Sequence, residues 1–291
     1  MNLFRGTGVA LVTPFHADGS IDWQGLKNLL THTAQGCDYY VVQGTTGESV
    51  TTTAKEKKDL LNFVRINNPK KLPIVYGLGG NNTADCLEKI KKTDWRGVDA
   101  ILSVSPYYNK PSQEGIYQHY MAIADASPVP VILYNVPGRT GSNISAATTL
   151  RLAQHKNIIG IKEASGNMEQ CMEIAAHKPA DFLLISGDDL LSVPLIALGG
   201  VGTISVLANA YPMTFRQMVH KALEGDFAQA SQALFQFLAI NPLLYAEGNP
   251  VGIKEALALQ KVCEAHVRLP LVAASSKLKE QIKEAAKQIK E

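Results

Sequence analysis

Short apolar segments alternate along the chain with longer segments of helical periodicity, and this alternation constrains the fold more than any other feature. Several apolar segments lack polar residues, which is typical of parallel strands buried on both faces. Eight even strand–helix units predict an α/β fold, a closed (β/α)8 TIM barrel, with a doubly wound open sheet as the alternative. We expect the strands at Val9–Thr13, Tyr39–Gln43, Ile74–Gly77, Ala100–Val104, Val131–Asn135, Ile158–Lys162, Phe182–Ser186 and Gly202–Val206.

The helical segments have recognisable starts. Residues 53–56 fit a capping box, and Pro212 suits the first turn of a helix. From Phe227 to Glu291 the pattern is helical and contains no strand. We therefore expect a catalytic barrel at residues 1–225 and a C-terminal helical region at 226–291 packed on it.

Composition limits the partners of this chain of 291 residues. A net charge of only +2 favours no general attraction to nucleic acid or acidic membranes. Residues 190–215 carry no charge, but Pro194 and three glycines interrupt them, so a buried helix, turn and strand are expected rather than a membrane span. The four cysteines are scattered, as in proteins of a reducing compartment, and no secretory signal is recognisable. We expect a soluble, cytoplasmic protein.

Active sites of such barrels lie at the carboxyl ends of the strands, where Lys162 closes the sixth. Lysine is rarely buried, and desolvation there favours the neutral amine. A neutral amine is the nucleophile that forms an imine with a ketone. The alternative is a lysine that reaches the barrel rim or pairs with Glu163.

The fifth strand ends in Tyr134, and a Pro/Gly-rich loop with Arg139 follows. Because adjacent strands lie about 4.8 Å apart, Tyr134 and Lys162 should be neighbours. A phenol beside an imine can transfer protons, whereas the alternative is a core tyrosine. Arg139 can form a forked contact with a carboxylate, and its alternative is a surface ion pair.

Two further loops carry candidate residues. In residues 44–49, flanking glycines and the hydroxyls of Thr45 and Thr46 suit a bound carboxylate, although a tight turn before a helix is equally consistent. Tyr107 and Tyr108 lie in a proline-bounded loop. They suit either a site or a subunit contact, and interface packing alone explains them as well.

No pattern indicates a cofactor. The segment Gly77–Asn82 approaches the dinucleotide-binding pattern, but asparagine replaces its third glycine. Phosphate-binding-loop and zinc-protease motifs are missing, and the seven histidines lack ligand spacing. We expect no metal and no organic cofactor.

Together these residues resemble the pyruvate-dependent class I aldolase superfamily, from about residue 4 to residue 272. The match is most similar to the dihydrodipicolinate synthase family, because a sialic acid lyase typically has serine before threonine and lacks the arginine. The matching stretches are Gly44–Glu48, Tyr107–Asn109, Tyr134–Pro137, Arg139–Gly141, Gly160–Glu163 and Ser186–Asp189.

The resemblance implies condensation of pyruvate with aspartate 4-semialdehyde, on the route to diaminopimelate and lysine, through an imine on Lys162. It also implies that Tyr134, Thr45 and a neighbouring subunit's Tyr108 transfer protons. Thr46 would bind the carboxylate of pyruvate, and Arg139 that of the semialdehyde. Gly187 and Ile204 would line the pocket. A homo-oligomer is therefore expected, a tetramer built from dimers. A related aldolase of sugar acids and a non-catalytic pyruvate sensor remain the alternatives.

Many family members are inhibited by lysine bound in a cleft between subunits. The residues that correspond to such an allosteric cleft are Ser49, Lys57, Asn81, Asp85 and Tyr107. Lys57 would place an ammonium group near that of the ligand, so weak or absent inhibition is expected.

Overall fold

Eight parallel strands form a closed barrel in the computed structural model, which describes residues 3–291. Each strand pairs with the next in the chain, and β8 pairs with β1. The predicted (β/α)8 TIM barrel is confirmed, and the open sheet is wrong. The strands are β1 Gly6–Ala10, β2 Tyr39–Val42, β3 Ile74–Gly77, β4 Ala100–Val104, β5 Val131–Asn135, β6 Ile158–Glu163, β7 Leu183–Ser186 and β8 Gly202–Ser205.

The first strand was predicted three residues too late. The apolar run extends beyond β1, but there Val12 N donates to Asn209 Oδ1 (3.1 Å) and the Thr13 hydroxyl donates to Gly47 O (2.7 Å). The true strand includes Gly8, where a Cβ atom would lie 2.3 Å from the ring of Tyr39. Tertiary packing therefore requires a glycine that weakens the local strand pattern.

Helices surround the barrel and continue after it. The predicted capping box is confirmed, since Glu56 N donates to Thr53 Oγ1 (3.2 Å) and Thr53 N donates to Glu56 Oε2 (2.8 Å). Pro212 begins a helix as expected. The helices are α1 Trp23–Thr33, α2 Ala54–Ile66, α3 Thr83–Lys92, α4 Gln113–Ala126, α5 Pro137–Thr140, α6 Ala146–Leu152, α7 Met168–His177, α8 Ser192–Ala197, α9 Pro212–Leu223, α10 Phe227–Phe235, α11 Val251–Leu259 and α12 Ser276–Ala286.

The region after the barrel is helical. Within the described part of the chain no strand follows β8, and α12 buries Leu278, Ile282 and Ala285 against the main core. The division of the chain at residues 225 and 226 stays a prediction. All four cysteines are free and buried, and no helix in residues 3–291 has the length and hydrophobicity to cross a bilayer.

A β-bulge determines which residues of β6 point into the barrel. Val131 pairs with Ile158, but Ile132 pairs with Gly160, so Ile159 is an extra residue. The later pairs are therefore Tyr134 with Lys162 and Asn135 with Glu163. Tyr134 belongs to the cluster inside the barrel, so its partner in register shares that face.

The amino-terminal end of the barrel is closed by an ion-pair cluster around Asp38, just before β2. Its carboxylate accepts hydrogen bonds from Arg216 Nη1 (2.7 Å), His220 Nε2 (2.7 Å) and Thr7 N (2.7 Å). Two of these donors belong to α9. The cluster thus joins β1, β2 and the last barrel helix at the end opposite the candidate site.

Candidate active site

Lys162 lies at the carboxyl end of β6 with 5% of its surface exposed. Its Nζ lies 4.4 Å from the centroid of the Tyr134 ring, which confirms that the two residues are neighbours. In residues 3–291 the amine has no acidic partner in an ion pair. The position is one in which a buried amine can attack a carbonyl carbon.

Glu163 does not pair with Lys162, so that alternative is wrong. Its buried carboxylate accepts hydrogen bonds from Asn135 Nδ2 (3.1 and 3.0 Å), Gln170 Nε2 (2.9 Å) and Ser165 N (2.7 Å). Successive strand residues face opposite sides, and these partners lie on the helix side of the sheet. Glu163 therefore ties β5 to α7 behind the catalytic face.

Gly187 and Ile204 lie close to this centre. A Cβ atom on Gly187 would be 3.0 Å from Lys162 Cε and 2.6 Å from Ala164 Cβ, so any side chain there would displace the lysine. Ile204 is fully buried in the same interior cluster as Tyr134. Gly187 limits the space around the lysine side chain, and the pocket-lining role of both residues stays a prediction.

Thr45 and Thr46 lie in a tight turn after β2. Gly47 N donates to Gly44 O (3.1 Å) and Glu48 N donates to Thr45 O (3.0 Å). The turn that was the alternative interpretation is thus present, and it still presents Thr45 to the cavity described below. Thr46 is buried, and its hydroxyl oxygen accepts a hydrogen bond from Asn249 Nδ2 (3.0 Å).

A cavity of about 1400 Å³ opens beside the turn and extends between α2 and α3. Thr45, Tyr134, Arg139 and Tyr107 line it, while Lys162 lies behind the Tyr134 ring and is not a lining residue. Arg139 forms no ion pair within residues 3–291, so a surface ion pair does not explain it. Its guanidinium is available for a bound carboxylate.

Tyr108 points away from the cavity of its own chain. It is 87% exposed and does not line the cavity. Its backbone has a positive φ of 73°, and its N–H donates to Thr140 O (3.3 Å). One chain therefore does not bring Tyr108 to Thr45.

The residues of the expected allosteric cleft are partly assembled. Ser49, Lys57 and Tyr107 line the cavity, whereas Asn81 Nδ2 donates to Tyr107 O (3.1 Å) and Asp85 pairs with Lys89 (2.5 Å). Burial lowers the pKa of Lys57, and the charge of Lys89 lowers it further against the attraction of Asp85. Lys57 is thus a half-buried cation inside the cleft.

Two buried charged features carried no role in the sequence-based interpretation. Asp189 accepts hydrogen bonds from Val206 N (3.1 Å) and Leu207 N (2.8 Å), while its Oδ1 has no partner and burial raises its pKa to about 6. Glu48 pairs with Lys254, 206 positions away. No local pattern marks a contact across such a distance, although a lysine within an apolar helix was a usable signal.

In the described residues no cluster of three or more His, Cys, Asp or Glu is arranged to hold a metal.

Comparison with known proteins agrees with this geometry. The sequence model of the dihydrodipicolinate synthetase family matches residues 3–289. The 4-hydroxy-tetrahydrodipicolinate synthase of Cytophaga hutchinsonii is 54% identical over 286 residues, which are 98% of this chain and 96% of that protein.

Solved structures agree as well. The chloride-inhibited dihydrodipicolinate synthase of Acinetobacter baumannii, in complex with pyruvate, is similar with a TM-score of 0.94 and 38% identity over 98% of each chain. A monomeric dihydrodipicolinate synthase variant has a TM-score of 0.95 and 35% identity, covering 98% of this chain and 97% of its own. The chain therefore belongs to the dihydrodipicolinate synthetase family.

Proposed function

We propose that this chain is a lyase that condenses pyruvate with L-aspartate 4-semialdehyde to give 4-hydroxy-tetrahydrodipicolinate, in the biosynthesis of diaminopimelate and lysine. The observation that carries the proposal is the buried Lys162 amine, which has no acidic partner in residues 3–291, beside the ring of Tyr134 at the carboxyl end of the barrel. Relatives that are 4-hydroxy-tetrahydrodipicolinate synthases, 47–54% identical to this chain, support the same reaction.

The reaction begins when the amine of Lys162 attacks the keto carbon of pyruvate. The carbinolamine loses water to form an imine, and we assign to Tyr134, whose ring lies 4.4 Å from the amine, the supply of the proton for the departing hydroxyl. Loss of a methyl proton converts the imine to an enamine, whose carbon attacks the aldehyde. The amino group of the second substrate then displaces Lys162, which closes the ring and frees the enzyme.

The two substrate carboxylates are assigned to different sides of the site. We assign the pyruvate carboxylate to the hydroxyl and backbone N–H of Thr46, because its hydroxyl oxygen already accepts from Asn249 and its hydrogen can still donate. Arg139 would bind the carboxylate of the semialdehyde, because its guanidinium lies in the cavity wall and forms no ion pair within residues 3–291. Gly187 and Ile204 would line the pyruvate pocket.

The proton relay requires a second subunit. We assign proton transfer to Tyr134, Thr45 and the Tyr108 of a neighbouring chain, in a homo-oligomer built from dimers into a tetramer. Two exposed tyrosines on one loop, one with a strained positive φ, support a loop shaped by contact with another chain. A cytoplasmic location fits the four free cysteines.

Borohydride trapping tests the proposal. Pyruvate and borohydride together should add one reduced pyruvate per chain, and peptide mass spectrometry should find it on Lys162. Formation of product from added aspartate semialdehyde would separate this activity from that of a sugar-acid aldolase. An adduct on another lysine, or none, would overturn the assignment.

A further inference from the structure

A buried ion pair lies outside the residues assigned to catalysis. Lys254 in α11 is completely buried, Glu48 is 3% exposed, and Lys254 Nζ donates to Glu48 Oε1 at 2.6 Å. Glu48 belongs to the turn of Thr45 and Thr46, while Lys254 belongs to the C-terminal helical region. The pair therefore connects the second strand's catalytic loop with a helix outside the eight strand–helix units.

Additional hydrogen bonds define the geometry of the pair. Glu48 Oε2 accepts a hydrogen bond from Arg268 N (3.0 Å), and Lys254 Nζ also donates to His266 O (2.7 Å). The Phe15 ring faces the amine, with Nζ 4.3 Å from its centroid. Each of the two charged groups is thus hydrogen-bonded to more than one segment of the chain.

Stability alone is a poor reason for such a pair. Removing two charges from water costs free energy that their attraction only partly returns, so an apolar pair of similar volume is often equally stable. Burial lowers the pKa of Lys254 despite the opposing influence of Glu48, which is consistent with this cost. The pair is therefore better explained by the relative position that it gives to the loop after β2 and to α11.

The same C-terminal region also contacts the substrate-binding threonine. Asn249, two residues before α11, donates from Nδ2 to Thr46 Oγ1 (3.0 Å). The hydroxyl hydrogen of Thr46 is therefore free to donate to a carboxylate. Gln43 and Glu48 have φ values of 62° and 52°, so the turn needs outside contacts to keep its shape.

We propose that Glu48 and Lys254 are positioning residues, through which the C-terminal region holds the Thr45–Thr46 turn in the geometry that binds pyruvate. This inference rests on the proposed role of Thr46 in pyruvate binding. It makes the region after the barrel a part of the catalytic apparatus.

The experiment compares Lys254→Met and Glu48→Gln with the double variant that carries both changes. The half-saturating pyruvate concentration in borohydride trapping should rise between about tenfold and a hundredfold in each single variant, because a small displacement of a binding group has effects of this size. The Michaelis constant for the semialdehyde should change less than about twofold, since Arg139 is not moved. Thermal unfolding is recorded for every variant.

The double variant separates positioning from folding. Removing both charges leaves no unpaired buried ion, so its unfolding temperature should recover towards that of the unmodified protein while pyruvate binding stays weak. If Lys254→Met does not fold, pyruvate binding is tested in the double variant instead. Asp38→Asn is the control, because it breaks partly buried ion pairs at the opposite end of the barrel and should leave pyruvate binding unchanged.

Two results would overturn the positioning role. One is an unchanged half-saturating pyruvate concentration in folded variants, and the other is recovery of pyruvate binding in the double variant in step with its stability. Failure of the unmodified protein to trap pyruvate would instead overturn the proposed function itself.

Discussion

Two carboxylates at opposite ends of the barrel have opposite electrostatic environments. Burial opposes ionisation of Asp38, but hydrogen bonds from His220, Thr7 and Arg216 outweigh it and lower its pKa. Asp189, beyond β7, accepts hydrogen bonds from the backbone N–H groups of Val206 and Leu207, but burial outweighs them and raises its pKa to about 6. Asp38 is thus held by the side chains of Arg216 and His220, whereas Asp189 forms no ion pair within residues 3–291.

The same difference extends to the cations. Arg216 at the amino-terminal end is paired with Asp38 at 2.7 Å, whereas Lys162 and Arg139 at the other end form no ion pair within the described chain. Groups that must act on a substrate cannot be neutralised by the fold, and this requirement generally reduces stability. We infer from the comparison that the end around Asp38 stabilises the structure and that the end around Lys162 performs the proposed chemistry.

The sharpest test of this division is the loss of the catalytic amine. Lys162→Ala should abolish borohydride-dependent attachment of pyruvate and reduce activity to background, because no other residue supplies the imine nitrogen. Mass spectrometry of the trapped protein measures the adduct. Retained attachment in this variant would show that the chemistry is not carried by Lys162.

The next effect concerns the loop that points away from its own cavity. Tyr108→Phe should lower turnover by roughly 10²–10⁴-fold, the usual contribution of a proton-transfer group, while pyruvate binding changes little. Steady-state kinetics and trapping measure the two quantities. An unchanged turnover number, or full activity in a monomer by sedimentation, would reduce Tyr108 to a packing residue.

The pH dependence of stability should distinguish the two carboxylates. The pKa of Asp189 is about 6 in the folded state against an ordinary value of 3.8, so the folded state holds the proton more tightly. The contribution of Asp189 to stability is therefore fully present below about pH 4 and is lost as the pH rises to about 6. The loss should approach about 3 kcal/mol. Denaturant unfolding of Asp189→Asn should show this dependence removed, since asparagine stays neutral. Parallel curves for the variant and the unmodified protein would contradict the assignment.

Asp38 should show the opposite sign with a smaller effect. Its lowered pKa contributes stability that is present above pH 3.8 and lost as the pH falls through the folded-state value. At neutral pH, Asp38→Asn should cost about 1–3 kcal/mol of unfolding free energy, because the Arg216 guanidinium and the His220 ring lose their carboxylate acceptor. The kinetic constants of Asp38→Asn should not change. A large fall in its turnover number would contradict the division of roles between the two ends of the barrel.

The smallest effect concerns lysine. We expect half-inhibition only well above a millimolar, because the half-buried Lys57 lies in the expected cleft near Lys89. Even a quarter of the roughly 4 kcal/mol between like charges about 4 Å apart would weaken binding several-fold. Lys57→His should then increase sensitivity. Strong inhibition of the unmodified protein would mean that Lys57 turns into solvent.

Local patterns were sufficient for most of the fold. Alternating apolar strands and capped helices predicted the eight units, and three strands, Ile74–Gly77, Ala100–Val104 and Val131–Asn135, were predicted with their observed bounds. The error at β1 arose because Gly8 is required by the Tyr39 ring, a contact between two strands. Local propensity does not contain such a contact.

The sequence by itself determined that a tyrosine and a lysine lie at the ends of two adjacent strands and that a pair of threonines follows a third, because the parallel strands of a barrel bring their carboxyl ends to one side. Only the tertiary structure decided the rest. The bulge at Ile159 sets Lys162 level with Tyr134, and the Lys254–Glu48 contact joins segments 206 positions apart. A bulge depends on strand pairing and a buried ion pair on the packing of a distant helix, so neither is encoded in the residues next to it.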